Sequence, residues 1–492
     1  MHLNKQFKGK MLILGCGSVA QCTIPILLKD VNMSPANITV MDMVDNKHLI
    51  KNEIKKGVNY VLDKVDQDNY LTLLPKYLSS GDFLLDLSYD VNTCALLEWC
   101  HNNNVLYVNA SIETWKDGDE KIRLTDSSPT ALTLYERYKD IHKLVDKWKD
   151  KNGATAIMDH GANPGLVSHF TKQALVDMAN RLIKEKKITK SKITLLENSL
   201  KKNEFAKLAQ LLGVKTIHIS ERDSQIVNKP KEVNEFVNTW SINGFIEEGL
   251  APAELGWGTH EKELPKNSFT HKSGTNHQIL LATKGCRTWV RSWVPSGEIM
   301  GMVIRHGEAY SIPLCLTVKE NNKVVYRPTV HYAYCPCDGA LNSLHELAMR
   351  HYIPQEKFRI LENEIISGKD ELGCLLMGHE YKSWWIGSIL DIETARKLVP
   401  NQNATTVQVA AGVVAAILYA INYPNLGFCV PDDLAYDEIL EYVKPYLGEF
   451  ISIPVDWSPR DNGKAFMPFG KVSDNKTSSE DEWQFSTFLV TA

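Results

Sequence analysis

The chain reads as an α/β protein in which a doubly wound parallel sheet is followed by a larger mixed α+β domain. Three observations predict it. Residues 11–20, MLILGCGSVA, break an apolar run directly into Gly15-x-Gly17-x-x-Ala20. Short apolar segments then alternate with helical patterns as far as residue 158, and from residue 159 the alternation yields to β-branched and aromatic segments. Strand–helix alternation builds a parallel sheet with helices on its faces, whereas the later composition suits antiparallel pairing.

The first segment outlines a strand, a tight turn and a helix, the mark of a dinucleotide-binding, Rossmann-like unit. Gly15 permits the sharp turn, Gly17 lets backbone N–H groups approach a pyrophosphate at the helix N-terminus, and small Ala20 lets helix and strand pack closely. Asp42 ends the second apolar strand, residues 38–41, where a carboxylate accepts hydrogen bonds from an adenosine ribose. Asp42 and Asp45 would repel a 2′-phosphate and no Arg follows closely, so the expected cofactor is NAD and not NADP. The expected cofactor contacts are Gly15, Gly17, Ser18, Val19, Asp42, Ser88, Ala110 and Asn163.

Further strands at 60–62, 83–85 and 105–108 alternate with helical patterns at 69–78 and 94–101. Ligands of such a sheet sit beyond the carboxyl ends of its strands. Asp90 and Glu113 fall there by spacing, facing the nicotinamide end, although solvated loop carboxylates have the same signature. A charged amphipathic helix at 132–149 and a strand at 154–158 lead into His160-Gly161-Ala162-Asn163-Pro164-Gly165, a turn-rich loop that opens another helix near Leu166. Asn163 is its candidate polar contact, or else a plain turn asparagine.

Segments 278–282, 288–293 and 302–304 read as strands, and 401–423 as a long buried helix closed by Pro424. The polar tail 471–482 is expected to be loose. The organisation expected is a cofactor domain over 1–158, a substrate and dimerisation domain over 159–400, a helix at 401–425 returning to the first domain, and 426–492 completing the second.

At 492 residues and 43% hydrophobic, the chain is long enough for two or three proper cores. A net charge of −4, with only short patches such as 184–187, gives no reason to expect nucleic acid or an anionic membrane. The most apolar stretch, 409–421, is shorter than the roughly 20 residues a bilayer requires. The N-terminal MHLNKQFKGK runs straight into the first strand and lacks a secretory pattern. Ten cysteines without a CxxC pair suit free thiols in a reducing cytoplasm, and no metal is expected.

The densest chemistry lies between Ser220 and Glu261: SERDS at 220–224, NTWS at 238–241, GFIEEG at 244–249 and LAPAELGWGTHE at 250–261. Carboxylates interleaved with Trp240 and Trp257 suit a compact cationic ligand, because Asp and Glu pair with ammonium groups and an indole face attracts a cation. An amine is implied; a charged surface loop around a core tryptophan is the plainer alternative. His306, in Arg305-His306-Gly307-Glu308 after the 302–304 strand, is placed for either a pocket mouth or the surface.

SERDSQ at 220, FVNTWSINGF at 236, EEGLAPAELGWGTHE at 247 and YRPTVHYAYCPCDGALNSLHE at 326 resemble bacterial homospermidine synthases, as do DHGANPG at 159, ELGCLLMGH at 371 and NQNAT at 401. The resemblance spans nearly the whole chain. It implies a saccharopine dehydrogenase-like architecture, a homodimer, and an enzyme that joins two putrescines, or putrescine and spermidine, into homospermidine. Ammonia leaves, or 1,3-diaminopropane when spermidine is the donor, and NAD is reduced and reoxidised within one cycle.

By position the resemblance implies that Trp240 stabilises cationic imines, that Glu221 and Glu248 are acids of a deep amine pocket, and that Asp90 and Glu113 lie nearer the cofactor and entrance. Asn163 would sit close to the nicotinamide, and His306 would be a pocket histidine. His160 departs from saccharopine-type enzymes, which place a cysteine there. A substrate ammonium, with a reference pKa of about 10.4, must lose a proton before hydride can leave, a task for His306 or a neighbouring carboxylate. A saccharopine-type or carboxy-polyamine dehydrogenase would share the fold but needs an Arg or Lys clamp for its carboxylates. A non-catalytic dinucleotide sensor is the reading from another class.

Overall fold

The structure, a computed structural model, describes residues 6–116, 118, 128–275, 277–459 and 482–490. All but the last residue of the 471–482 tail lies outside the described residues.

Six short segments build the first sheet: β1 (Met11–Leu14), β2 (Ile38–Asp42), β3 (Asn59–Leu62), β4 (Phe83–Asp86), β5 (Leu106–Asn109) and β6 (Ala156–Ile157). Their spatial order is 3-2-1-4-5-6, and every pairing is parallel. β1, β4 and β5 are buried along their whole length, which is why they read as apolar runs, broken only by Asp86 and Asn109 at the ends of β4 and β5. Met11 pairs with Ile38 on one side and Phe83 on the other, so the strand order reverses at β1 and a crevice opens beyond its carboxyl end. The expected α/β class and doubly wound sheet are present.

One placement differs. Residues 428–429, assigned from sequence to the second domain, form a strand Phe428–Cys429 that pairs in parallel with β6 and extends the first sheet. Two residues are too few to show a period. The helix before it, Ala404–Asn422, packs along α1 (Ser18–Asp30). By length and composition it could cross a membrane, but 89% of its apolar window is buried inside the protein.

The second sheet is mixed and centred on β7 (Thr216–Asp223), which pairs in parallel with Thr329–Cys335 and antiparallel with Lys369–His379. Lys382–Asp391 and Glu449–Val455 continue it on one side; Pro252–Gly256, Gln278–Lys284 and Ser268–Thr270 continue it on the other. The strand expected at 302–304 lies earlier, at Gly297–Met302, where it pairs with Trp289–Val294. Val303 donates its N–H to the Thr288 carbonyl as the last bond in that register, and the strand ends there.

Residues 482–490 return to this sheet. Trp483, Phe485 and Phe488 pack in one apolar cluster with Leu375 and Trp385, and Trp257 lies against it. The Phe485 N–H reaches both oxygens of Glu261, at 3.2 and 3.1 Å.

Candidate active site

A cavity of about 470 Å³ opens beyond β1 and β2, lined by Gly15 to Ala20, Asp42, Ser88 and Asp90. Gly15 has φ +88°, and a Cβ there would stand 2.6 Å from the Leu87 carbonyl oxygen, so only glycine makes this turn without strain. Gly17 caps α1 without any side-chain hydrogen bond, leaving the first helical N–H groups for an anion. The Asp42 carboxylate accepts the N–H groups of Cys16 at 2.6 Å and Val44 at 2.8 Å, which fixes it at the cavity edge. Ser88 donates its hydroxyl to Asp86 at 2.5 Å, and burial pushes the Asp86 carboxyl up to about 6. A glycine turn, an uncapped helix start and a fixed carboxylate together fit a dinucleotide.

Beyond β5 the surroundings change to buried acids and rings. Ala110 and Glu113 line a narrow cavity of about 40 Å³ with Asp159, Pro164, Glu248 and His306. Burial first, and the Glu247 charge next, push Glu113 up to about 8. Asp159, at the start of the glycine-rich loop, is pushed up to about 7 by burial and accepts the Tyr138 hydroxyl at 2.5 Å.

Local sequence sets the rest. Ser241 caps the helix Ile242–Leu250 through its hydroxyl, so Trp240 stands just before the helix and Glu247 and Glu248 in its last turn. Glu247 is taken up by Arg137, at 3.1 Å, and by Arg305. Glu248 instead meets His306 Nε2 at 3.0 Å. His306 is buried, which removes the surface alternative.

Glu221 comes from β7, fully enclosed, and accepts the Asn163 side-chain amide at 3.0 Å and the Tyr332 hydroxyl. Burial raises its carboxyl above the ordinary range, and the Tyr332 hydroxyl pulls it partly back. Tyr332 and Tyr334 are alternate residues of one strand, so they share a face and stack with centroids 5.1 Å apart. Trp240 donates its indole N–H to the Tyr334 hydroxyl at 3.0 Å. Asn163, Glu221, Tyr332, Tyr334 and Trp240 therefore form one connected wall. Asn403 of the NQNAT run steadies it from behind, donating to the carbonyls of Thr239, at 2.7 Å, and Leu361, at 2.8 Å.

The structure thus places Gly15, Gly17, Ser18, Val19, Asp42, Ser88 and Asp90 at the first cavity. It places Ala110, Glu113, Glu248 and His306 at the second. Trp257 belongs to neither: it packs edge-on against Phe485, centroids 6.2 Å apart, so the acidic and aromatic run serves the site only as far as Glu248. Glu254 likewise accepts the Leu134 N–H at 2.7 Å and caps a helix. His160 is buried with Nε2 3.0 Å from His169 Nε2, and burial pushes it down to about 4. Sequence reasoning missed Asp159, Tyr332, Tyr334 and Glu308. The alternation His-Tyr-Ala-Tyr at 331–334 was the one available signal for the tyrosine pair.

Fold and site together define a two-domain enzyme of the saccharopine dehydrogenase type, with a dinucleotide cleft beside a buried acidic and aromatic chamber. The family model for the saccharopine dehydrogenase NADP binding domain matches residues 11–157, and that for the saccharopine dehydrogenase C-terminal domain matches residues 161–453. The chain is 38% identical to the homospermidine synthase of Mesorhizobium japonicum, covering 99% of this chain and 97% of that protein. It is 39% identical to the homospermidine synthase of Blastochloris viridis, covering 98% and 97%. The crystal structure of the homospermidine synthase from Legionella pneumophila in complex with NAD superposes with a TM-score of 0.86 at 37% identity, covering 99% of both chains. The chain belongs to the homospermidine synthase family.

Proposed function

We propose that this chain joins two putrescines into homospermidine with release of ammonia, and that it accepts spermidine as an alternative aminobutyl donor. NAD, when bound, supplies the hydride acceptor and then the hydride donor. The observation that carries the reading is one connected set of buried acids and rings: Glu248 meets His306 at 3.0 Å, the His306 ring faces Tyr332 with centroids 4.4 Å apart, and Tyr332 binds Glu221 and stacks on Tyr334, which holds the Trp240 indole, a set that suits a cation with two charged ends. The nearby cations Arg137 and Arg305 are both committed to Glu247, which argues against a clamp for an amino acid substrate.

Each residue has a task in this scheme. Glu221, steadied by Asn163 and Tyr332, holds the far ammonium. Trp240, fixed by Tyr334, presents its ring to the iminium cation. His306 and Glu248 share a proton in the resting site. An arriving ammonium repels the imidazolium charge, the shared proton passes to the Glu248 carboxylate, and His306 Nε2 is left free to take the proton of the reacting amine. The buried wall limits escape of the imine to water. Asp90 guides the cationic substrate from the cofactor side, and Glu113, held protonated by burial, gives up its proton as the ammonium arrives. We assign the working form as a homodimer in the cytoplasm, in keeping with ten unpaired cysteines of which all but Cys94 and Cys315 are buried. The test is product analysis: putrescine with a trace of NAD should give homospermidine and ammonia, whereas stoichiometric NADH without homospermidine would overturn the reading.

A further inference from the structure

Behind His306 lies a group with no part in the scheme above. Glu308 opens the helix Glu308–Cys315 and is fully buried. No described donor meets either of its oxygens with hydrogen-bond geometry, and the nearest charged partner is His306 Nδ1, 3.3 Å from Oε1. A carboxylate so enclosed is costly unless a cation faces it. The other ring nitrogen, Nε2, is 3.0 Å from Glu248. The imidazole is thus held between two carboxylates, one at the chamber and one behind it.

The turn that makes this possible is itself constrained. A Cβ on Gly307 would overlap the Asp159 carboxylate and the Tyr138 hydroxyl, so only glycine lets 306 and 308 approach each other here. The other groups around the ring are accounted for. Tyr332 faces it with centroids 4.4 Å apart and donates its hydroxyl to Glu221, while Asp159 accepts from Tyr138 and Arg305 is bound to Glu247. Glu308 is left with His306.

We propose that Glu308 is a positioning residue that keeps a proton on His306 Nδ1, so that Nε2 is the exchanging nitrogen aimed at Glu248 and the amine. The proposal rests on the functional reading above. Its logic is that of any acid–imidazole pair, in which the acid behind the ring sets the tautomer and stabilises the imidazolium. Burial by itself lowers the proton affinity of His306; the charges of Glu308 and then Glu248 outweigh it and hold the imidazole well above its ordinary range. Glu308→Gln keeps the shape and removes the larger of these two supports.

The test is a ¹⁵N-histidine NMR titration of the full-length, NAD-loaded protein, with His306 assigned by its disappearance in His306→Gln. Glu308→Gln should lower the His306 midpoint by about one unit or more, the size expected for losing an adjacent opposite charge. The pH profile of kcat should move in the same direction. kcat should fall roughly tenfold or more with the KM for putrescine within about threefold, since a proton-transfer contribution is lost and binding is not. Glu308→Asp should recover part of both, and it carries the test if the Glu308→Gln protein does not fold. An unchanged midpoint in both variants, or lost activity with an unmoved pH profile, overturns the proposal. Because the midpoint is read without substrate, failure of the wild-type protein to make homospermidine would overturn the functional reading separately.

Discussion

The cofactor cleft and the acidic chamber are built in opposite ways. The cleft is made by one continuous run of chain, a strand, a glycine turn and a helix, with Asp42 one strand away. Its binding groups are mostly backbone N–H, so it recognises phosphate wherever the turn is intact. The chamber draws Asn163 from a loop, Glu221 from β7, Trp240 and Glu248 from either side of a helix cap, and His306 from the end of a hairpin. Its groups are side chains, buried and mutually dependent. Local geometry suffices for holding a dinucleotide, whereas handling a diamine cation takes charges that only tertiary packing can enclose.

Substitutions should therefore separate by region. The largest effect should come from Glu221→Ala, which strands the Asn163 amide and the Tyr332 hydroxyl and leaves an ammonium without its counterion. Removing one partner of a buried pair costs about 3–5 kcal/mol, so kcat/KM for putrescine should fall by roughly a hundredfold or more. NAD affinity, read by fluorescence titration, should stay within about twofold; a matching loss of NAD binding would mean that the two regions are not separable.

Trp240→Ala comes next. A desolvated cation–π contact is worth about 2 kcal/mol, so turnover should drop about thirtyfold with little change in NAD affinity. Unchanged turnover would reduce the indole to packing. The mirror experiment is Asp42→Ala, which should weaken NAD by about tenfold through the lost ribose contact and leave turnover at saturating NAD nearly intact.

The smallest effect lies outside both regions. Burial pushes Glu261 up to about 7, against an ordinary value near 4.5. Below pH 4.5 folded and unfolded chains are both protonated at this group. As pH rises from there to about 7 the unfolded chain gives up the proton first, so this group's support for folding is lost across that window. Glu261→Gln should become steadily more stable relative to the parent as pH rises from about 4.5 to about 7, measured by Tm. A Tm difference that stays flat across that range would contradict the assignment, and neither ligand affinity should change.

The contrast between the regions also explains how far the sequence could be read. The fingerprint at residues 11–20 and Asp42 were legible because cleft contacts follow from short-range spacing. So was the parallel sheet, since β1 is apolar throughout and β4 and β5 are apolar up to their last residues. The acid and aromatic content of the 220–261 run was legible as composition, but composition did not separate its parts: Glu248 lines the chamber and Trp240 binds Tyr334, while Trp257 and Glu261 hold residues 483–488. Nothing local marks Asp159 or Tyr332 as neighbours of His306; β7, its parallel partner Thr329–Cys335 and the glycine loop bring them together, whereas Glu308, two residues along the chain, is turned back onto the ring at Gly307. Phe428–Cys429 shows the same limit, a strand defined only by the sheet edge it joins.

The central claim is that cleft and chamber act as one unit in which the cofactor is recycled without leaving. The direct measurement is a single incubation of the protein with excess putrescine and NAD at less than one equivalent, following homospermidine, ammonia and NADH absorbance together. The account predicts many homospermidines and ammonias formed per NAD, with no steady accumulation of NADH. NADH rising in step with substrate consumption, with no homospermidine, would contradict it.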